Sequence, residues 1–156
     1  MHLTYRPATP ADVDLYFVWA NEPDTRRQSF QSEPIPLEPH RAWFARRLID
    51  PDSLLLVFEN EAAEPVGQVR FERNDANEIT IGLSVDSRFR GHGLASQLIE
   101  MGCATCAEQW GTCTIFAFIK SDNQASVRAF ERAGFVLSRS AVQFQPSALT
   151  MIWQTQ

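Results

Sequence analysis

The chain has 156 residues, enough to bury one substantial core, and a single domain over residues 1–156 is expected. Its formal net charge of −5 argues against a broad attraction to nucleic acid, and no apolar run approaches the roughly 18 residues that a membrane span needs. Residues 1–6 lack the charged-then-apolar pattern of a signal peptide, so a cytoplasmic protein is expected.

The first part of the chain predicts one strand and two helices. Leu3 to Arg6 is a short strand, and Thr9 followed by Pro10 is typical of a helix N-terminus. Residues 21–39 contain four prolines and no periodicity, so they are predicted to form a long loop, which is often functional. A second helix is predicted from Pro39 to about Ile49.

The rest of the chain predicts six strands and two helices. The strands are Ser53 to Phe58, Val66 to Glu72, Glu78 to Val85, Thr112 to Ile119, Phe135 to Arg139 and Val142 to Trp153, and the helices are Gly91 to Gln109 and Ser121 to Ala133. This order is neither a regular β-α alternation nor all-β. It predicts an α/β (α+β) fold in which four helices flank a mixed sheet of about seven strands.

Cys103 and Cys106 form a C-x-x-C pair, a spacing found in redox pairs and in half of a zinc site. The pair lies in the middle of a predicted helix, within an apolar stretch, and no second Cys/His pair follows at ligand spacing. The pattern favours small buried hydrophobic side chains, and no metal site is predicted.

A turn with two glycines joins the strand that ends at Val85 to the long helix. Gly91 and Gly93 allow the backbone to pass close to a ligand, and the free N–H groups of the first helical turn favour an anion. The segment lacks the lysine of a Walker loop and the third small residue of the dinucleotide fingerprint. It predicts a diphosphate-binding turn, with an ordinary glycine turn as the alternative.

Two motifs in this order resemble the GCN5-related N-acetyltransferase (GNAT) superfamily. The segment Arg90-Gly91-His92-Gly93-Leu94-Ala95 is similar to the family signature Q/R-x-x-G-x-G/A, which cradles the pyrophosphate of coenzyme A. Asn123 opens a helix that ends in Gly134-Phe135, as in the second cofactor segment of the family. The resemblance implies an acetyl-CoA-dependent N-acetyltransferase with the GNAT fold, whose sheet is splayed between its fourth and fifth strands.

The resemblance also implies where acetyl-CoA binds. Gly82, inside a strand, suggests a bulge or a close backbone approach, and the main chain near Leu83 is expected to pair with the pantetheine arm. The expected cofactor-binding residues are Leu83, Ser84, Val85, Arg90, Gly91, His92, Gly93, Leu94, Ala95, Ser96, Asn123 and Phe130.

One expected catalytic group is missing. Many family members carry a Tyr near the thioester sulfur at the position of Phe130, which cannot donate a proton. Ser126, water or another side chain is left as the donor. Glu72 and Glu78, on strands beside the slot, and His40 are the candidate bases.

The acceptor side resembles GNAT enzymes that acetylate nucleotide-linked amino sugars in bacterial surface-glycan (pseudaminic-acid type) synthesis, and more loosely the ribosomal-protein N-terminal acetyltransferases. Arg26, Arg27 and His40 are expected to meet a nucleotide diphosphate, and Trp43 or Phe30 to stack on a base or sugar face. The alternatives are solvated arginines and aromatic rings that pack the helix on the sheet. The expected substrate residues are Arg26, Phe30, His40, Trp43 and Arg70.

Three further hypotheses stay open at this point. In the first, the acceptor is a protein N-terminus, a lysine or another small amine instead of an amino sugar. In the second, the domain is a non-catalytic acetyl-CoA sensor, which the phenylalanine at position 130 favours. In the third, the alternating pattern from Phe144 to Trp153 supplies a strand that pairs two copies into a homodimer.

Overall fold

The structure, a computed structural model, describes residues 1–138 and 148–155. Within these residues one mixed sheet has the strand order β1-β2-β3-β4-β5-β7-β6, and the only parallel pair described is β4 with β5. This confirms the predicted mixed sheet of seven strands. The strands are β1 (Thr4–Pro7), β2 (Ser53–Glu59), β3 (Pro65–Arg73), β4 (Glu78–Val85), β5 (Thr114–Lys120), β6 (Val136–Leu137) and β7 (Ala148–Gln154).

The described part of the chain contains five α-helices, one more than the sequence predicted. They are α1 (Val13–Ala20), α2 (Pro23–Gln28), α3 (Leu37–Ile49), α4 (Leu94–Trp110) and α5 (Gln124–Arg132), and short 3₁₀ turns cover Pro10–Asp12 and Ser87–Phe89.

The additional helix, α2, lies inside the segment predicted to be a loop. Its signals are local: Pro23 takes the first helical position, and the Glu22 carboxylate caps the helix by accepting from Thr25 N at 3.2 Å. Arg26 and Arg27 lie in the last turn, where cations complement the helix dipole. Six residues are too few for the apolar periodicity on which helix prediction depends.

β4 and β5 are splayed, as the family resemblance implied. β4 pairs with β3 along its whole length to Val85, but it pairs with β5 only over Glu78 to Thr80. The expected bulge at Gly82 is wrong, because the β3–β4 register runs unbroken through the pair Arg70–Gly82. A Cβ at Gly82 would lie 2.6 Å from the Arg70 Cζ atom, so the glycine leaves room for that guanidinium.

Helices cover both faces of the sheet. Along β2, alternate side chains point to opposite faces, so Leu56 packs in the core under α4 while Val57 packs in a second core under α1 and α3. Cys103, Cys106 and Cys113 are free and buried, as predicted for the first two. Among the described residues, no group of three or more His, Cys, Asp or Glu side chains could hold a metal ion, and no helix is long and apolar enough to cross a membrane.

The two last predicted strands overlap residues 139–147, which lie outside the described residues. β7 pairs with β5 along Ala148 to Gln154 and with β6 at Met151 and Ile152. The strand exchange suggested for Phe144 to Trp153 stays a prediction.

An ion pair joins β1 to the turn before α1 and predicts an acid-sensitive contribution to stability. Arg6 donates to both oxygens of Asp12, at 2.8 and 2.9 Å, and this lowers the pKa of Asp12 even though burial opposes the shift. A lowered carboxyl pKa gives stability that is present above the unfolded-state pKa of about 4 and is lost as the pH falls through the folded-state value.

We therefore expect Asp12→Asn to lower the free energy of unfolding at pH 7 by roughly 1 to 2 kcal/mol, and the difference from wild type to shrink toward pH 3. Urea unfolding at both pH values measures it. Glu38→Gln is the control, because the Glu38 side chain is 80% exposed beside Arg41 and should contribute little. A constant difference at both pH values would contradict the assignment.

Candidate active site

The turn between β4 and α4 has the geometry of an anion-binding loop. Gly91 and Gly93 have φ values of 82° and 70°, a region that disfavours side chains, and a Cβ at either would meet no atom within 4 Å. Gly93 is the N-cap of α4 and offers no side chain to the N–H groups of the first turn. Open space, exposed donors and the helix dipole therefore meet at one point, which fits a diphosphate.

A cavity of about 820 Å³ extends from this turn into the gap between β4 and β5; we call it the slot. The structure brings together there every predicted cofactor residue except His92, which is exposed and lies outside the lining. The predicted residues that line the slot are Leu83, Ser84, Val85, Arg90, Gly91, Gly93, Leu94, Ala95, Ser96, Asn123, Ser126 and Phe130.

The N-terminal part of α5 forms one wall of the slot. Asn123 caps the helix, its Oδ1 accepting from Ser126 N at 3.3 Å. Ser126 and Phe130 are four residues apart and both line the slot. Phe130 is 4% exposed and packs edge-on against Phe135, with ring centroids 4.9 Å apart. Ser126 therefore supplies the one hydroxyl of α5, on the face that lines the slot and one turn before Phe130.

Arg90 fastens α2 to the phosphate turn. Its guanidinium donates to Glu22 at 2.6 Å, to Asp24 at 3.0 Å and to the Val85 carbonyl at 3.1 Å. Burial alone would raise the pKa of Glu22, but Arg90 and the groups of Thr25 outweigh it and lower that pKa. The side chain predicted to contact phosphate thus holds α2 beside the slot. The sequence analysis missed Glu22 and Asp24, because they lie 68 and 66 residues from Arg90 and nothing local links them to it.

A second cavity, of about 410 Å³, lies between the sheet and helices α1 to α3; we call it the side cavity. It shares part of its lining with the slot, including Arg70, Leu83 and Ser84, so the two cavities meet at the splayed part of β4. The remaining lining comes from Tyr16, Ala20, Thr25, Arg26, Ser29, Ile35, Pro39, His40, Trp43, Gln68 and Glu72.

Two predicted substrate residues are engaged inside the protein. Arg26 donates to the carbonyls of Ala20 at 2.6 Å and Gln31 at 2.9 Å, which fixes the segment after α2. His40 is 4% exposed, and its Nε2 lies 3.0 Å from the Val13 carbonyl. This geometry does not fit the predicted contact of Arg26 and His40 with a nucleotide diphosphate, because their polar atoms already have partners.

The two aromatic residues predicted for substrate separate. Phe30 lines the slot, and Trp43 lines the side cavity, where it also packs against the second core. Only Trp43 therefore belongs to the side cavity.

The two candidate carboxylates also separate. Glu72 lines the side cavity, with Oε1 3.3 Å from Arg47 Nε. Glu78 is exposed at the closed end of β4, accepts from Asn74 Nδ2 at 3.0 Å and lines neither cavity. The structure therefore does not bring Glu78 to the site.

Gln68 and Tyr16 are polar residues of the side cavity that the sequence analysis did not single out as candidates. Gln68 Nε2 donates to Ser84 Oγ at 2.8 Å, while its buried Oε1 has no partner among the described residues. Tyr16 donates its hydroxyl to the Leu56 carbonyl at 2.9 Å. Period-2 alternation from Arg70 along β3 would have placed Gln68 on the same face.

This fold and site define a class of protein. Residues 2–136 match the family described as acetyltransferase (GNAT) domain. The chain therefore belongs to the GNAT family, the acetyl-CoA-dependent N-acetyltransferases, and the family resemblance read from the sequence is confirmed.

Individual relatives are more distant. The chain is 30% identical over 99 residues to the mycothiol acetyltransferase of Mycobacteroides abscessus, a match covering 61% of this chain and 33% of that protein. The chain thus spans about a third of the length of that relative.

Solved structures share the fold at low identity. The spermidine N-acetyltransferase of Vibrio cholerae in complex with CoA and spermine superposes with a TM-score of 0.84 at 17% identity, over 97% of this chain and 95% of that one. The aminoglycoside acetyltransferase AAC(6′)-Ib in complex with coenzyme A gives 0.81 at 16%, over 98% and 95%. These three proteins give no support to the nucleotide-amino-sugar subtype.

The glycine geometry predicts a selective loss of cofactor binding. Gly93→Ala places a methyl group in the space over the turn and strains a positive φ, so we expect CoA to bind roughly tenfold more weakly by calorimetry. Gly111→Ala is the matched control, because Gly111 also has a positive φ of 75° but lies outside the slot lining. Equal CoA affinity of the two variants would contradict the assignment of this turn to CoA binding.

The ion pairs of Arg90 predict that α2 supports the slot. Arg90→Gln removes the cation that joins Glu22 and Asp24 to the turn, and only Asp24 keeps another, Arg27. We therefore expect a lower melting temperature and several-fold weaker CoA binding. Arg88→Gln is the control, because the Arg88 side chain is 61% exposed beside Asp86. Thermal unfolding and calorimetry measure both effects, and indistinguishable variants would count against a supporting role of α2.

Proposed function

We propose that the protein transfers an acetyl group from acetyl-CoA to the primary amine of a small molecule that occupies the side cavity. The observation that carries this proposal is the meeting of the slot and the side cavity at Arg70, Leu83 and Ser84. A cofactor in the slot and an amine in the side cavity would come into contact at this junction. Bringing two reactants together in this way is a main source of rate enhancement.

The residues of the slot suit coenzyme A. The N–H groups at the start of α4, with Gly91 and Gly93, would hold the pyrophosphate, and Asn123 would orient the arm. Beyond Thr80 the edge of β4 that faces β5 has no strand partner among the described residues, so its main-chain groups are open to the pantetheine amides. Acetyl-CoA supplies the activated acetyl thioester.

Two side chains are proposed to handle protons. An amine attacks only when it is neutral, and Glu72 is the carboxylate in the lining of the side cavity that can accept its proton. Ser126, one helical turn before Phe130, is proposed to donate to the departing thiolate.

The acceptor is proposed to be compact. The Vibrio cholerae structure was solved with spermine and the aminoglycoside enzyme is named for its substrate class, so small amines are known ligands of this fold. A nucleotide-linked amino sugar is less well supported, because Arg26 and His40, expected to hold its diphosphate, bond to the protein.

The test is thiol release from acetyl-CoA with a panel of amines: amino acids, polyamines, aminoglycosides, UDP-amino-sugars and peptides with free N-termini. Turnover of a small amine supports the proposal, and turnover restricted to peptides or UDP-amino-sugars would replace the acceptor class. CoA binding without turnover on any acceptor would favour a sensor, to which Phe130 would then be central.

Glu72→Gln should lower kcat by roughly a hundredfold if Glu72 accepts the proton. Glu78→Gln is the matched control, a carboxylate on the neighbouring strand that lines neither cavity. The kcat of each variant is measured from pH 6 to 9. A kcat unchanged by Glu72→Gln, or lowered equally by both, would remove Glu72 from the mechanism.

A further inference from the structure

Arg70 stands at the junction of the two cavities, because it lines both the slot and the side cavity. Within residues 1–138 and 148–155 its side chain makes no hydrogen bond and no ion pair. Arg26, which also lines both cavities, and Arg90, which lines the slot, are by contrast engaged with carbonyls or carboxylates. Burial lowers the pKa of Arg70, with Tyr16 and Glu72 acting against the shift, but a guanidinium stays charged in proteins.

The facing strand is shaped around this cation. Gly82 lies opposite Arg70 in the β3–β4 register, and a Cβ there would come within 2.6 to 2.9 Å of the guanidinium carbon and nitrogens. Any larger residue would push the guanidinium away. The glycine at position 82 therefore leaves the space at the junction that the charged group occupies.

A partly buried charge without an ion-pair partner costs stability, and such costs are tolerated where a ligand supplies the missing partner. The planar fork of an arginine matches an oxyanion with two oxygens. The pyrophosphate of the cofactor is not that partner, because its turn begins beyond Val85, about three residues or roughly 10 Å along β4 from Gly82.

We propose that Arg70 binds a carboxylate of the acceptor, so that the substrate is a small amino acid, carrying a primary amine and a carboxylate on one compact body. This rests on the proposed acetyltransferase function. It assigns to Arg70 the recognition of the acceptor, not of acetyl-CoA.

The neighbours of Arg70 complement a zwitterion. Gln68, Arg70 and Glu72 alternate along β3 and so share the face that lines the side cavity. Gln68 is 3% exposed, and its unpartnered Oε1 can accept from the amine, as can the Glu72 carboxylate. Because Glu72 lies two residues from Arg70, a doubly charged phosphate would be repelled more than a carboxylate.

The rest of the side cavity suits an apolar substituent on that amino acid. Tyr16, Ile35 and Trp43 contribute rings and an aliphatic chain to its wall, and about 410 Å³ is within the usual size for a small-molecule site. We therefore expect amino acids with apolar side chains to be the better substrates.

The experiment compares each common L-amino acid with its own carboxamide as acceptor, by thiol release from acetyl-CoA. We expect a roughly 10- to 100-fold higher kcat/KM for the acid of at least one pair. The amide has the less basic amine, which is more often neutral at the assay pH, so a preference for the acid cannot come from amine protonation. A second comparison, of phosphoethanolamine with ethanolamine as acceptor, tests whether a phosphate is preferred in place of a carboxylate.

Variants test whether the preference for the acid depends on Arg70. Arg70→Gln should abolish the preference for the acid by raising the acceptor KM while leaving the KM for acetyl-CoA within about twofold, and Arg70→Lys should retain part of it. Gly82→Ala keeps the charge but displaces the guanidinium, so it should resemble Arg70→Gln. Arg46→Gln removes the same charge from an exposed position on α3, outside both cavities, and is the control.

The melting temperature of Arg70→Gln distinguishes a ligand-binding role of Arg70 from a structural one. Because Arg70 has no partner in the described protein, Arg70→Gln should unfold at the same or a higher temperature than wild type. A lower melting temperature together with intact preference for the acid would assign Arg70 to the fold and overturn the proposal.

The remaining outcomes are also decisive. Equal turnover of acids and amides would overturn the carboxylate assignment and leave the acetyltransferase function standing, and a preference for phosphoethanolamine alone would replace the carboxylate by a phosphate. If no amine is turned over, the proposed function fails. Calorimetric titration of the same acid and amide pairs into the CoA-loaded protein then decides the role of Arg70, since equal or absent binding of both overturns it.

Discussion

The separation of β4 from β5 is the constraint on which the rest of the site depends. β4 stays fully paired with β3 but loses β5 after Thr80, so one of its edges runs unpaired to Val85. Unpaired strand edges are costly to leave open, and here the open edge faces the slot. The crossover helix α4 starts where β4 ends, so its N-terminus points at the mouth of the same slot. Strand edge and helix terminus thus line one continuous cavity.

An acidic protein can bind a polyanion where a local positive field outweighs its net charge. The net charge of −5 gives no general attraction to phosphate, and the charge of the arginine in the turn is offset by Glu22 and Asp24. Backbone N–H groups and the dipole of α4, together with Lys120 and Arg132 in the lining of the slot, supply the local positive field. The ion pairs of Arg90 contribute indirectly, because they fix α2 beside the slot.

The acceptor side follows a different principle, in which function depends on which polar groups the fold leaves unpaired. Arg26 and His40 satisfy backbone carbonyls and so define the cavity wall. Arg70 and the Oε1 of Gln68 have no such partner within the described residues. A fold that leaves polar groups unsatisfied next to a cavity loses some stability and gains recognition of whatever completes them.

The amino-acid sequence by itself determined the family, the order of most elements and the phosphate turn. Glycines at 91 and 93 between a strand and a helix, and an Asn before α5, are local signals whose meaning needs no tertiary contact. The sequence also carried the signals for α2, but six residues show no periodicity, and the helix went unpredicted.

Only the tertiary structure decided which side chains are available to a ligand. Arg26, Arg70 and Arg90 are equivalent in a sequence, since each is a cation near a predicted functional segment. Arg90, for example, pairs with Glu22, which is far from it in the sequence. Such pairings are fixed by how the sheet and helices pack. The same holds for Glu72 and Glu78, which lie on adjacent strands: the way helices α1 to α3 pack on the sheet places Glu72 in the lining of the side cavity and leaves Glu78 exposed outside both cavities.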